Sequence, residues 1–340
     1  MKNVVCFGEI MLRLNPKGYL KLTQANEFLA TYAGSEANVA VSLANYGCKA
    51  IFVSKVPDND IGQNAINELR RYGVNTSKVL RGGERLGIYF LEKGASQRPS
   101  KVIYDRKFSS LAQSNVEEYI WDDILKGVEW FHFSGITPAL SQNMFNVCLE
   151  ACKYAKKNKI MVSCDLNFRK NLWKSDKANE CMSQLMEYTD VVIANEEDVK
   201  DVFGIEAENT NVIEGKLDLD SYYDISKKLI NKFNLKFVAT TLRQSISANE
   251  NNWSAILHDG KQGYVADTYN MKIVDRVGGG DSFAAALIYS LVNDYSNQKS
   301  IDFATAASCL KHSIENDFNL IKKEDVEGLL KGNGSGRIQR

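Results

Sequence analysis

Short runs of apolar, mostly β-branched residues alternate along this chain with longer stretches in which apolar positions recur every three or four residues. The first pattern suits strands buried on both faces and the second suits amphipathic helices, so together they predict a parallel sheet covered by helices. Strands are expected at residues 4–7, 51–56, 130–133, 160–165, 191–195 and 237–241, and helices at 35–46 and 61–72. Gly47 and Gly73 follow those two helices, where a left-handed closing residue is needed.

Two stretches, about 12–33 and 84–111, break this rhythm. Their polar–apolar alternation, with strand composition at 87–91 and 102–104, predicts a small accessory sheet that acts as a lid. Residues 255–258 and 262–268 read as a hairpin around Asp259-Gly260, and helices are expected from Asp281 and from Ser300. The Gly-rich, polar segment 331–340 is expected to be disordered, which leaves 1–330 as one domain.

The hydrophobic share of 44% over 340 residues can fill a large core. Forty-two basic residues balance 42 acidic ones, so no global field favours nucleic acid or an anionic membrane, and function must reside in a local site. Seven cysteines without a C-x-x-C pair suggest reduced, buried thiols; Cys148 and Cys152 have helical spacing but no histidine nearby to complete a metal site. The apolar run within residues 1–14 is broken by Gly8-Glu9, too short for a signal peptide or a membrane span, so a cytoplasmic protein is expected.

The segment Asp275-Arg276-Val277-Gly278-Gly279-Gly280-Asp281 leads into an apolar helix. Glycines let backbone N–H groups approach an anion, and the helix dipole adds attraction, so the turn can cradle a phosphoryl group. Asp281 could then accept a proton from a hydroxyl attacking a γ-phosphate, with Mg²⁺ offsetting the remaining repulsion. An ordinary helix cap would have the same composition. The chain has no G-x-x-x-x-G-K-[ST] loop and no G-x-G-x-x-G after its first strand, which disfavours P-loop and dinucleotide enzymes.

These residues resemble the C-terminal D-x-x-G-x-G-D signature of PfkB-type, ribokinase-like carbohydrate kinases. Ala33-Gly34-Ser35-Glu36-Ala37-Asn38 is similar to that family's G-G-x-x-x-N sugar-binding turn, with Ala33 in place of the first glycine. Asp165 to Trp173 resembles the D-x-N-x-R-x-x-L-W stretch of fructokinase- and ketodeoxygluconate kinase-like members. Asn195 to Asp198 resembles the N-x-x-E motif, with Asp198 for the usual Glu and Glu197 beside it. Ala286 stands where glycine is frequent, which would widen the nucleotide pocket.

The resemblance implies an α/β three-layer sandwich with a central, mostly parallel sheet and a β-sheet lid. It implies ATP and Mg²⁺ as cofactors, leaves K⁺ at the Asp275 loop open, and suggests a homo-oligomer joined through lid strands. Asp281 would be the catalytic base, with Gly278, Gly279 and Gly280 as the anion cradle. Gly34, Asn38, Tyr89, Tyr104, Arg106 and Arg169 would bind substrate; Asn195, Arg243, Gly278, Gly280 and Lys311 would bind nucleotide; Asp198 would organise the metal through water. Tyr104 and Arg106 share one face of an extended strand, and arginine suits a carboxylate, so a sugar acid such as 2-keto-3-deoxygluconate is the expected substrate. A fructokinase or other ketose kinase and a non-catalytic sugar or nucleotide sensor are the alternatives. His312, a lone histidine on a helix, reads as a packing or solvated residue rather than a catalytic one.

Overall fold

The computed structural model describes residues 1–206 and 219–332. Most of the expected disordered tail, 333–340, lies outside them. The chain opens with β1 (Asn3–Phe7), β2 (Met11–Asn15), β3 (Leu29–Ala33), α1 (Ser35–Asn45), β4 (Lys49–Val56), α2 (Asp60–Arg71), β5 (Asn75–Arg81), β6 (Gly87–Glu92) and β7 (Lys101–Asp105). It continues with α3 (Trp121–Ile124), β8 (Trp130–Ser134), α4 (Ile136–Ala139), α5 (Gln142–Lys157), β9 (Met161–Asp165), α6 (Ser175–Met186), β10 (Val191–Ala194), α7 (Glu196–Phe203) and α8 (Leu219–Phe233). It ends with β11 (Phe237–Ser247), β12 (Glu250–His258), β13 (Gly263–Val265), β14 (Tyr269–Lys272), α9 (Gly279–Val292), α10 (Asn297–Lys311) and α11 (Lys323–Leu330).

The main sheet runs β13-β12-β11-β10-β9-β8-β1-β4-β5, with β14 also paired to β12; it is parallel from β11 to β5 and antiparallel beyond β11. Successive residues of one strand serve opposite layers, as the pleat requires. Val4 and Cys6 pack in the core shared with α1, α9 and α10, whereas Val5 and Phe7 pack with α5 and α6. Residues 191 and 193 likewise face one layer and 192 and 194 the other. That two-sided burial is why these strands read as continuous apolar runs, and the result is an α/β ribokinase-like sandwich of three layers.

The six expected strands are present, and β11 continues to Ser247 before returning antiparallel as β12. The expected hairpin is β12–β13. Edge strand β5 and helix α11 have no clear counterpart in the apolar pattern; both are short and only partly buried. Helix α10 begins three residues before Ser300 because Ser296 caps it, its hydroxyl accepting from the Lys299 N–H. Six cysteines are buried, and all seven are free. No helix among the described residues is long and apolar enough to cross a membrane.

A second sheet, β3-β2-β6-β7, forms from the two stretches that broke the helical rhythm. It is fastened to the main body by Arg13 of β2, whose side chain is fully buried. One guanidinium nitrogen meets Asp275 at 2.7 Å and another pairs with Asp317. Burial opposes the charge on Arg13, but the pull of Asp317 and Asp275 prevails and raises its pKa. Removing one partner of such a group leaves uncompensated charge and costs about 3–5 kcal/mol. Arg13→Met should therefore lower unfolding stability in urea by about that amount, and a loss below about 1 kcal/mol, as for a surface pair, would show that the lid is held by other means.

Candidate active site

A cleft of about 570 Å³ opens at the carboxyl ends of the central strands, beneath the lid. Chain leaving β1, β8, β9 and β10 turns there, which is where open α/β sheets place ligands. Gly278, the N-cap of α9, has φ of 84°, and a Cβ on it would overlap the Asp317 carbonyl oxygen. Both conditions demand glycine. Gly279 lies against the His312 ring, whereas nothing crowds the Cβ direction of Gly280, which lines the cleft.

Asp281 sits in the first turn of α9, half-buried. Its Oδ1 accepts from Ser35 Oγ at 2.8 Å and its Oδ2 from Asn38 Nδ2 at 2.6 Å. The Asn38 side-chain oxygen in turn accepts from the Gly34 N–H at 3.4 Å. Asn38 thus orients the Asp281 carboxylate from a position in the cleft lining. Gly34 is fixed by its backbone, since a Cβ there would overlap the Glu9 carbonyl oxygen. Burial raises the Asp281 pKa, while the bonds from Asn38 and Ser35 and the nearby Arg169 restrain the rise.

The lid contributes Tyr89 and Tyr104, directly paired across β6 and β7 with rings 5.9 Å apart. The Tyr89 hydroxyl donates to Asp317 Oδ2 at 2.8 Å, so it is already engaged, whereas Tyr104 is exposed. Arg106 lines the cleft with Tyr104 and is ion-paired there. Its Nε donates to Glu9 Oε2 at 2.8 Å, a second nitrogen pairs with the same oxygen, and the guanidinium lies 5.5 Å from the Tyr104 ring centre. The other Glu9 oxygen is buried without a hydrogen-bond partner. Arg169 also lines the cleft, where it donates to its neighbour's carbonyl, Phe168 O, at 3.1 Å.

Asn195 caps α7, accepting from the Asp198 N–H at 2.8 Å, and lines the cleft. Asp198 Oδ1 accepts from the Phe168 N–H at 3.2 Å. Burial pushes the Asp198 pKa up to about 6, against the pull of Arg169. Asp165, unassigned from sequence, is pushed well above the usual range by burial and by repulsion from Asp198 and Asp281. No cluster of three acidic, His or Cys side chains able to hold a metal occurs among the described residues. One or two carboxylates are nevertheless the usual protein share for Mg²⁺ beside phosphates, and these mutually repelling carboxylates fit such a cation. Arg243 lines the cleft beside Arg276, which no sequence motif singles out, and the proximity of Arg243 adds to burial in lowering the Arg276 pKa.

Two expectations fail. Lys311 is completely buried behind the glycine turn, bonded to main-chain carbonyls, and does not line the cleft. Ala286 is fully buried in the helical core, away from the cleft lining, so it does not set the pocket width. His312 packs against Trp253 as expected, with its pKa lowered to about 4 by burial. Asp317 and Glu9 had no local motif to reveal them; Glu9 follows β1 and Asp317 lies in the bend after α10, and the fold brings both to the cleft.

A glycine-lined helix start beside an oriented carboxylate, roofed by a sheet that can exclude water, suits phosphoryl transfer to an alcohol. The chain belongs to the pfkB family of carbohydrate kinases, whose profile matches residues 1–316, and is an ATP-dependent enzyme of that class. It is similar to the crystal structure of 2-dehydro-3-deoxygluconokinase from Thermotoga maritima, with 47% identity, a TM-score of 0.93 and coverage of 97% of this chain and 98% of that one. It is 28% identical to a 2-dehydro-3-deoxygalactonokinase of Haloferax volcanii over 98% of each chain. It is also 26% identical to a 5-dehydro-2-deoxygluconokinase of Clostridium perfringens, over 96% of this chain and 94% of that one.

If Asp281 is the base, Asp281→Asn should lower kcat by about 10²–10⁴-fold while leaving ATP binding intact. The base acts deprotonated and its pKa is raised, so kcat/KM should fall with decreasing pH already above the ordinary Asp range of about 4. A pH–rate profile flat to pH 4 would assign the proton transfer elsewhere.

Proposed function

We propose that the protein transfers the γ-phosphoryl group of ATP to the terminal hydroxyl of a keto-deoxy sugar acid, foremost 2-keto-3-deoxygluconate, giving the 6-phosphate. The observation that carries this reading is Arg169: a guanidinium facing a cleft otherwise rich in carboxylates, with no ion pair among the described residues. A bound sugar carboxylate would supply the missing partner, with the remaining donor of Arg106 and the Tyr104 hydroxyl at the lid side. The three relatives described above carry names that denote keto-deoxy sugar acids, which agrees with this reading.

Asp281 accepts the hydroxyl proton, and the N–H groups of the Gly278–Gly280 turn stabilise charge on the transferring group. Asn38 and Ser35 hold the carboxylate in line. Arg243 and Arg276 offer positive charge to the polyphosphate. Asp198, through water, and Asp165 would hold Mg²⁺, which when bound neutralises phosphate charge. Lid closure keeps water from taking the hydroxyl's place. The lid's edge strand β7 is exposed along its whole length, with Val102, Ile103 and Tyr104 each about 40% exposed. A second copy pairing there would cover this edge. Light scattering should accordingly report a dimer or larger, reduced toward monomer by Ile103→Lys; a wild-type monomer would refute the assembly.

ATP consumption against 2-keto-3-deoxygluconate, its galacto epimer, fructose and ribose tests the substrate. The keto-deoxy acids should be preferred in kcat/KM by at least about 10²-fold, since a neutral sugar would leave the charge-assisted bonds to arginine unmade beneath the closed lid. Arg169→Ala should remove most of that preference with a smaller effect on fructose. Equal losses on both, or preference for fructose, would discard the carboxylate site while leaving the family assignment intact.

A further inference from the structure

Lys311, the last residue of α10, is fully buried, yet among the described residues it forms no ion pair. Its ammonium instead donates to three main-chain carbonyl oxygens: Asn316 at 2.6 Å, Ile314 at 3.3 Å and Asp275 at 3.4 Å. Three donors meet three acceptors, so the group is saturated. Two separate segments of chain, the approach to the glycine turn and the turn after α10, thereby point carbonyl oxygens at one point. Oxygens so arranged repel one another unless positive charge lies between them. Asn316 is held at φ of 65°, in the left-handed region, and its side-chain oxygen is buried without a partner, a further acceptor in the same turn.

What this cage supports is the anion cradle. The Asp317 carbonyl abuts Gly278, leaving no room for even a Cβ between them. Asp275 connects the same parts from the other side. Its Oδ1 accepts from the Val277 N–H and its Oδ2 from the Asn316 N–H, each at 3.2 Å. Movement of the 314–317 turn would carry the Gly278 amide with it. Charge is also matched. Arg13 and Lys311 face Asp275 and Asp317, two cations to two carboxylates, while Lys93, 3.8 Å from Asp275, is paired more closely with Glu315.

We propose that Lys311 is a built-in monovalent cation that positions the glycine turn, so that the enzyme needs no alkali ion at the Asp275 loop. A cage of carbonyl oxygens otherwise suits a weakly hydrated ion of ammonium's size, K⁺ above all, since carbonyls can replace its hydration shell. Here the lysine fills that place, and the K⁺ left open by the sequence does not fit. Lys311 is a positioning residue: it acts through the main chain of Gly278 and does not reach the cleft. The inference depends on the chain being a kinase and is independent of which sugar it phosphorylates.

The full-length protein is assayed with whichever panel sugar it uses best, in KCl, NH₄Cl, LiCl or choline chloride at equal ionic strength. Wild-type kcat should vary by less than about twofold among these salts. Lys311→Ala opens the cage; its kcat should fall about 10²-fold in choline, the scale of a small misplacement of the site, and recover at least about tenfold in K⁺ or NH₄⁺ but not in Li⁺. Lys311→Met fills the space without charge and should fall alike without recovery. Thermal unfolding gives a readout that needs no sugar: K⁺ should raise the Tm of Lys311→Ala by about 2–4 °C over Li⁺ and leave wild type unchanged. A wild-type rate that rises about fivefold or more with K⁺ overturns the proposal, as does a folded Lys311→Ala whose rate and Tm ignore the cation. Should Lys311→Ala fold in no salt, the wild-type comparison decides alone, independence of K⁺ supporting the proposal and dependence overturning it.

Discussion

Asp275 and Asp317 lie buried where the lid meets the glycine turn, and their charges are tolerable chiefly because Arg13 reaches them from the lid. Much of the site follows from this arrangement. The same two residues meet the glycine turn: Asp275 accepts from the Val277 and Asn316 N–H groups, and the Asp317 carbonyl packs against Gly278 while its carboxylate accepts from the Tyr89 hydroxyl of the second sheet. Lid, cradle and the end of α10 therefore form one electrostatic unit. A buried network is stable when every member is satisfied and costly when one is lost, so the lid's attachment and the cradle's shape cannot vary independently.

Around that unit the cleft is short of positive charge on its floor. Asp165, Asp198 and Asp281 raise one another's proton affinity or feel burial doing so, and Arg169 is the cation acting on all three. A site in this condition favours incoming cations, which accords with a metal-nucleotide as one substrate, and burial gives Asp281 a higher affinity for protons than a solvated aspartate has. The hydrogen bonds from Ser35 and Asn38 set a limit on that rise while fixing the carboxylate's direction. Glu36, beside Ser35 in the chain, does something different. Its buried carboxylate accepts from Ser134 N–H, Ser134 Oγ and Thr137 Oγ1, anchoring the start of α1 to the end of β8.

The layered sheet, most strand positions, the two lid segments and the glycine turn with its aspartate were all legible in the order of residues. Each of these is local: two-sided burial imposes an apolar run, a helix imposes its period, and an anion cradle imposes glycine within a few residues. Which groups pair with which emerged only with the fold. Arg13 is 304 residues from Asp317 and 262 from Asp275, and Asn38 is 243 from Asp281, so no spacing rule connects them. For the same reason Arg106 was legible as a cleft residue but not as the partner of Glu9, and Lys311 was legible as a cation near the nucleotide end but not as one enclosed by carbonyls. Residue type fixes what a side chain can bind; only the fold fixes which groups come within reach, because electrostatic and hydrogen-bond energies depend on distances that the order of residues does not contain.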